Sequence, residues 1–266
     1  MCTLTLNDWL VYGVRIHYLD FIAYRAIAEL KRDSSNMYLG VVWWILEPVL
    51  YMAVFYLVFG IGLKKGGLDF ALYLLCGLVP WKWIDSTVRT ASGIIVASPG
   101  LMRQIYFPKW ILPGYIILAN TYKFFIIFFL FVLLLLFCKV PVTVTWLALP
   151  MVMAVQLLFV SSLSLMASAL VPILPDLKYA VQYGMTMLFF MSGIFFDVTE
   201  LGEPVKTWLH WNPALVFIES FRSILLNESW PDWHVLQHVS GLSVSLFIFS
   251  SLLLYKLDAY YPRVVN

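Results

Sequence analysis

Five ionisable side chains fall inside long apolar stretches of this 266-residue chain: Glu47, Lys82, Asp85, Arg89 and Lys123. A charge in hydrocarbon is costly, roughly 2.5–3.5 kcal/mol at a helix centre on insertion scales, so such residues turn to a bundle interior or a wet cavity. Lys82, Asp85 and Arg89 are three and four apart and share one helix face, where the carboxylate can bridge both cations. The trio either neutralises itself against a neighbouring helix or forms a polar stripe along a water-filled path. Both arrangements turn that face away from lipid.

Trp44, Glu47, Tyr51, Phe55 and Phe59 also recur at three- and four-residue steps, as an aromatic stripe carrying one acid. Aromatic faces stack on the C–H faces of sugar rings, and carboxylates accept from sugar hydroxyls. The stripe suits a polymer that slides without tight binding, although packing or lipid contact would use the same residues. Ser161, Ser162, Ser164, Ala167 and Ser168 need only close helix packing to explain them.

The elements that must position these residues follow from composition. The chain is 62% hydrophobic and 12% charged, against about 45–50% and about 25% in soluble domains. A spanning helix takes roughly 20 apolar residues. Six apolar stretches can be read, at 41–62, 70–96, 110–138, 144–171, 179–196 and 235–256. Lys64-Lys65-Gly66-Gly67, Ser98-Pro99-Gly100, Lys139-Val140-Pro141 and Pro172 to Asp176 break them. The expected fold is an all-α membrane protein of six transmembrane helices. The region 1–38 contains an amphipathic interface helix, 39–266 forms the membrane domain, and 197–234 is an outer loop region with short re-entrant helices.

With the N-terminus inside, nine Lys and Arg fall on inner segments (Arg15, Arg25, Lys31, Arg32, Arg103, Lys109, Lys178, Lys256, Arg263). Five fall on outer ones (Lys64, Lys65, Lys139, Lys206, Arg222), a bias that predicts cytoplasmic termini. Charges break up the first 33 residues, so the first span is expected to act as an uncleaved insertion signal. Tyr18, Phe21, Ile22, Arg25, Ala26 and Glu29 recur at helical spacing, which predicts a helix lying on the inner membrane face; a soluble arm is the alternative. In the outer loop, Asn212 followed by Pro213 is a good helix start. Leu215, Ile218, Phe221, Ile224 and Leu225 then fall on one face of a helix too short to span. Trp208, Trp211, Trp230 and Trp233 suit the headgroup zone. This region either covers a pore mouth or packs on lipid.

No phosphate-binding GxxxxGK[ST] loop occurs, nor GxGxxG, a serine elbow or a Cys/His metal pattern. The chain is therefore expected to have no cofactor and no catalytic or metal site, and its net charge of +2 is too small to suggest nucleic acid. If ATP drives it, another polypeptide supplies the ATPase, which must grip the inner segment 98–113. There Arg103 and Lys109 are charged, and Leu101, Met102, Ile105 and Phe107 could fill a groove. A membrane-bound transferase is the alternative from a different class, but it needs a convergent acid/base or metal cluster.

Four segments carry a family likeness. YLGVVWWILEPVLYM at 38–52 and LCGLVPWKWIDSTV at 75–88 resemble the first two spans of polysaccharide ABC exporter permeases. LMRQIYFPKWILP at 101–113 is similar to their inner loop, and MSGIFFDVTELGEPVKTWLHWNPALVFIESFRSILL at 191–226 to their outer region. The O-antigen and teichoic-acid branch fits, with the capsule branch close behind; Glu47 leans towards the capsule pattern. The resemblance implies a homodimer around a central channel in the bacterial inner membrane, with two copies of a separate ATPase that binds ATP and Mg. The cargo would be a glycan on a polyprenyl diphosphate lipid. It further implies a channel lined by Trp44, Glu47, Tyr51, Phe55, Lys82, Asp85 and Lys123. Coupling would run through Leu101, Arg103, Gln104, Tyr106 and Phe107. The lipid diphosphate would meet Arg25, Lys31 and Arg32, and Trp208, Trp211, Asn212, Pro213, Phe217 and Phe221 would gate exit.

Overall fold

The computed structural model describes residues 18–35, 40, 42–58, 67–104, 107–196, 202 and 211–261, apart from the side chains of Phe55, Leu68, Arg103 and Gln104. Among the described residues the chain is helical, with no strand. We number the helices α1 (Tyr18–Ser35), α2 (Val42–Phe55), α3 (Leu68–Ser92), α4 (Pro99–Gln104), α5 (Ile111–Phe137), α6 (Leu149–Leu170), α7 (Leu177–Phe190), α8 (Pro213–Leu225) and α9 (Trp233–Leu257). A 3-10 turn, Val144–Ala148, leads straight into α6. Each expected apolar stretch contains one long helix. Ile111–Phe137, the continuous Val144–Leu170 and Trp233–Leu257 are long and apolar enough to cross a membrane.

Local chemistry sets the helix ends. α5 stops in a Schellman arrangement: Val140 N–H donates to Leu135 O and Lys139 N–H to Leu136 O, with Lys139 at φ +61°. The Asp232 carboxylate caps α9 by accepting from His234 N and Val235 N. Pro48 and Pro80 lie inside α2 and α3, each missing an amide donor. The Pro80 carbonyl accepts from Nε2 of the fully buried Gln156 at 2.9 Å, which ties α3 to α6.

Contacts at the two ends of the bundle show that its long helices alternate in direction. At one end, Asp258 beyond α9 accepts from the Lys109 amide before α5, and the Tyr261 hydroxyl donates to Ala169 O at the end of α6. Lys178 at the start of α7 lies against Gly93 at the end of α3. At the other end, the Tyr73 hydroxyl near the start of α3 donates to Phe196 O beyond α7. There Thr145, before α6, donates to Ile224 O.

The larger core lies among α3, α5, α6 and α8, where Trp83 stacks on Phe124 with ring centroids 4.1 Å apart. α6 and α9 pack closely across small residues: Ser162, Ser164 and Ser168 are fully buried, and Ser250 donates to Ser162 O. A second core holds Ile22 and Ala26 of α1 with Leu112, Tyr115, Leu165 and Tyr261. α1 is amphipathic as expected. Its apolar face, however, packs on the protein: Ile22 meets Gly114, Arg25 lies over the Tyr115 ring, and Asp33 pairs with Lys123. The order of these contacts makes α1 run alongside the first turns of α5, while Leu19, Tyr24 and Ile27 on its other side stay exposed.

Candidate functional site

Charged side chains of α2, α3 and α5 line two clefts on either side of the α2–α3 contact. One, of about 250 Å³, lies between α2, α3 and α7 and includes Tyr51, Trp81, Asp85, Arg89, Thr186 and Phe189. The other, of about 340 Å³, lies between α1, α2, α3 and α5 and includes Asp33, Trp43, Trp44, Glu47, Asn120 and Lys123. Lys82 borders both. These clefts interrupt an exterior otherwise rich in exposed apolar side chains, such as Phe129, Leu133, Phe137, Phe249 and Leu252.

Helix spacing put Asp85 between two cations. The structure corrects this: Asp85 Oδ1 takes Arg89 Nε at 2.5 Å, and Lys82 Nζ crosses to Glu47 Oε1 of α2 at 2.5 Å. A carboxylate on the facing helix lets each cation keep its own partner. Arg89 also donates to Thr186 Oγ1 of α7 at 3.0 Å. Lys123 pairs with Asp33 and sits 5.2 Å from the centroid of the Trp44 ring, a cation–π contact. The aromatic stripe of α2 is therefore shared out. Trp44 faces the α1 side, while Tyr51 meets Phe189 of α7 edge-on at 6.1 Å; the Phe55 side chain and the whole of Phe59 lie outside the described residues.

On the inner segment, Leu101 is half-buried, whereas Met102 and Phe107 are buried in this chain's own second core. That corrects the expectation that they present an outward apolar handle: both are buried in the core that also holds Ile22, Leu112 and Tyr115. Arg103 and Gln104 have side chains outside the described residues, as does the whole of Ile105 and Tyr106. Lys109 is fully buried, donating to Phe107 O at 2.8 Å with Asp258 3.8 Å away. Burial pushes its ammonium below the usual lysine range and Asp258 partly restores it.

Of the cations assigned to a diphosphate, Lys31 is exposed, Arg32 pairs with Glu29, and Arg25 is half-buried on Tyr115 with its Nε lacking a hydrogen-bond partner. Burial raises the Glu29 carboxyl above its ordinary range, and Arg32 opposes that shift.

The outer helix is enclosed by its own chain. α8 is buried on nearly every side by α3, α5, α6, the 3-10 turn and α9, with Phe217 on Phe159 and Phe221 on Phe128. Phe217 and Phe221 are thus core residues, and neither faces an opening or lipid. Asn212 is buried as the cap, its Oδ1 accepting from Ala214 N and its Nδ2 donating to Met191 O. Pro213 is half-buried behind it, Trp211 is exposed, and Trp208 lies outside the described residues.

Arg222, counted from sequence as an outer loop charge, is 5% exposed in the core. Its guanidinium stacks 3.4 Å from the centroid of the Tyr73 ring and donates to Gly193 O, Ile194 O and Tyr73 O. Gly77 leaves room for it: a Cβ there would stand 3.0 Å from Arg222 Nη2. Sequence reasoning also missed Asp33, Asn120, Thr186 and Phe189 at the clefts. Asp33 alone carried a signal, as an acid at the end of an amphipathic helix facing an intramembrane lysine.

The chain is similar in sequence to known proteins. Over 222 residues the chain is 26% identical to the O-antigen export system permease protein RfbA of Myxococcus xanthus, covering 82% of this chain and 85% of that one. It is 22% identical over 200 residues to a protein of the same name from Klebsiella pneumoniae, covering 75% and 77%. Against the polysialic acid transport protein KpsM of Escherichia coli it is 24% identical over 213 residues, covering 75% and 79%. The model of the ABC-2 type transporter family matches residues 22–226, from the first turns of α1 to the end of α8, both clefts included. A helical chain with that match and long apolar helices belongs to the ABC-2 type transporter family of membrane permeases.

Proposed function

We propose that this chain is the permease subunit of an ATP-driven exporter that carries lipid-linked polysaccharide of the O-antigen type across the bacterial inner membrane. One observation carries the reading: polar and aromatic clefts flank the α2–α3 contact in a bundle whose outside is apolar. The printed names of its relatives add the cargo class.

In this reading α2, α3, α5, α6, α7 and α9 are six spans with both termini cytoplasmic. Two copies pair around the path, and each takes an ATPase, which binds ATP and Mg, at the inner end where α4 lies. Met102 of α4 and Phe107 after it are buried in the core that also holds residues of α1 and α5. A push on α4 moves helices that border the cleft holding Lys123, and ATP binding shifts the population of open states. Trp44 and Tyr51 offer ring faces to the glycan, while Arg25, Lys31 and Arg32 meet the diphosphate at the inner surface. α8 is tied to α3 and the turn after α7, so exit opens by moving that unit as a block. The chain itself makes and breaks no bond.

Surface polysaccharide is the test. Cells carrying Trp44→Leu and Tyr51→Leu together should lose most of it at an unchanged protein level; normal display would remove the assignment.

A further inference from the structure

The two clefts carry six charged side chains among the described residues, and none of the cations stands alone: Lys82 has Glu47, Arg89 has Asp85, and Lys123 has Asp33. Three positive and three negative groups leave the lining with no net charge. The names of the relatives point to cargoes of different charge, since one is a polysialic acid transport protein, so kinship leaves the charge of this cargo open.

The pairing decides it on physical grounds. We infer that the path is built for an uncharged glycan and selects against polyanionic chains. An acidic polymer reaching the spare donors of each lysine or arginine would do so beside a carboxylate already in hydrogen-bond contact. Its own acids would then lie beside Asp33, Glu47 and Asp85. Like charges in a partly desolvated cleft repel more strongly than in water, and such repulsion is how a site rejects a competitor. A neutral glycan meets no such conflict. Its hydroxyls donate to the spare carboxylate lone pairs and accept from the ammonium groups without parting them. Its ring C–H faces lie on Trp43, Trp44 and Tyr51.

This inference rests on the clefts being the glycan path, and one experiment separates the two. The full chain in lipid nanodiscs is titrated with dextran oligosaccharides (neutral) and with hyaluronan oligosaccharides of equal length (acidic). Tryptophan fluorescence is the readout, because Trp43, Trp44, Trp81 and Trp83 line the clefts. Dextran should change the emission, and hyaluronan should bind at least about tenfold more weakly. In the isosteric Asp33→Asn, Glu47→Gln variant, which frees Lys123 and Lys82, hyaluronan affinity should rise about tenfold, and the ratio of hyaluronan to dextran affinity should rise with it. Glu47→Gln alone should show a smaller gain in the same direction, in case the double variant does not fold. Wild-type protein that binds hyaluronan as tightly as dextran overturns the inference and leaves the path standing, as does a Glu47→Gln variant with no gain. If neither sugar binds, or binding survives Trp44→Leu with Tyr51→Leu, the path itself is misplaced and the inference goes with it.

Discussion

Arg222 and Lys82 are both cations within an apolar bundle, and the protein uses them in opposite ways. Arg222 is 5% exposed and held by backbone carbonyls of Tyr73, Gly193 and Ile194. It cannot leave without stranding several acceptors, so it belongs to the fold. The Lys82 side chain is 29% exposed at the border of two clefts and is held by one carboxylate, itself 35% exposed. Water or a polar cargo can take over that contact at small cost. A charge inside a membrane helix is thus not one kind of residue; the identity of its partner, backbone or carboxylate, separates anchor from lining.

The comparison breaks most directly at Arg222. Arg222→Met should cost about 3 kcal/mol or more, because it leaves buried carbonyls unsatisfied. The thermal midpoint of the detergent-solubilised protein should drop sharply, and a midpoint within a degree of wild type would erase the distinction. Gly77→Ala attacks the same anchor from beneath: its new methyl would stand 3.0 Å from Arg222 Nη2 and 3.3 Å from Ile218 Cγ2. Overpacking of that kind costs about 1–3 kcal/mol. The cleft should answer differently. Glu47→Gln should change stability by less than about 1 kcal/mol, the range of half-exposed ion pairs, while reducing polysaccharide export. Destabilisation equal to that of Arg222→Met would make the cleft pair structural.

The same contrast explains what the sequence could show. Apolar runs bounded by Pro, Gly and charge located the apolar helices, because breakers are local properties, although the run expected for α7 extends past its end at Phe190. The Asn212-Pro213 start of α8 was legible for that reason, as was the shared face of Lys82, Asp85 and Arg89. Partners across helices were not. Lys82 faces Glu47 thirty-five positions away and Lys123 faces Asp33 ninety away, and only packing sets such pairs. α8 displayed an apolar stripe of Leu215, Ile218, Phe221 and Ile224, yet Val216, Phe217, Ser220 and Arg222 on its other faces are buried as well. Ser220 and Arg222 disguised that enclosure, since each satisfies its polar atoms on backbone carbonyls, Ser220 on Val216 and Arg222 on the neighbouring turn.

The smallest expected effect tests where α1 belongs in this division. Glu29 is 9% exposed on the docked face of α1, and its carboxyl titrates above the ordinary carboxylate range, chiefly through burial. A raised folded-state pKa means that the folded protein holds the proton more tightly than the unfolded chain does. The stability this contributes is complete below the unfolded value and is lost as pH rises through the folded one. Glu29→Gln cannot ionise and should flatten that slope. The variant's thermal midpoint should therefore gain on wild type between pH 4 and pH 7, by the equivalent of about 1 kcal/mol or less, because the pair with the largely exposed Arg32 offsets part of the burial cost. A gain marks α1 as docked on α5, on the anchor side of the comparison. Parallel curves would mean that Glu29 meets water, with α1 free to part from α5.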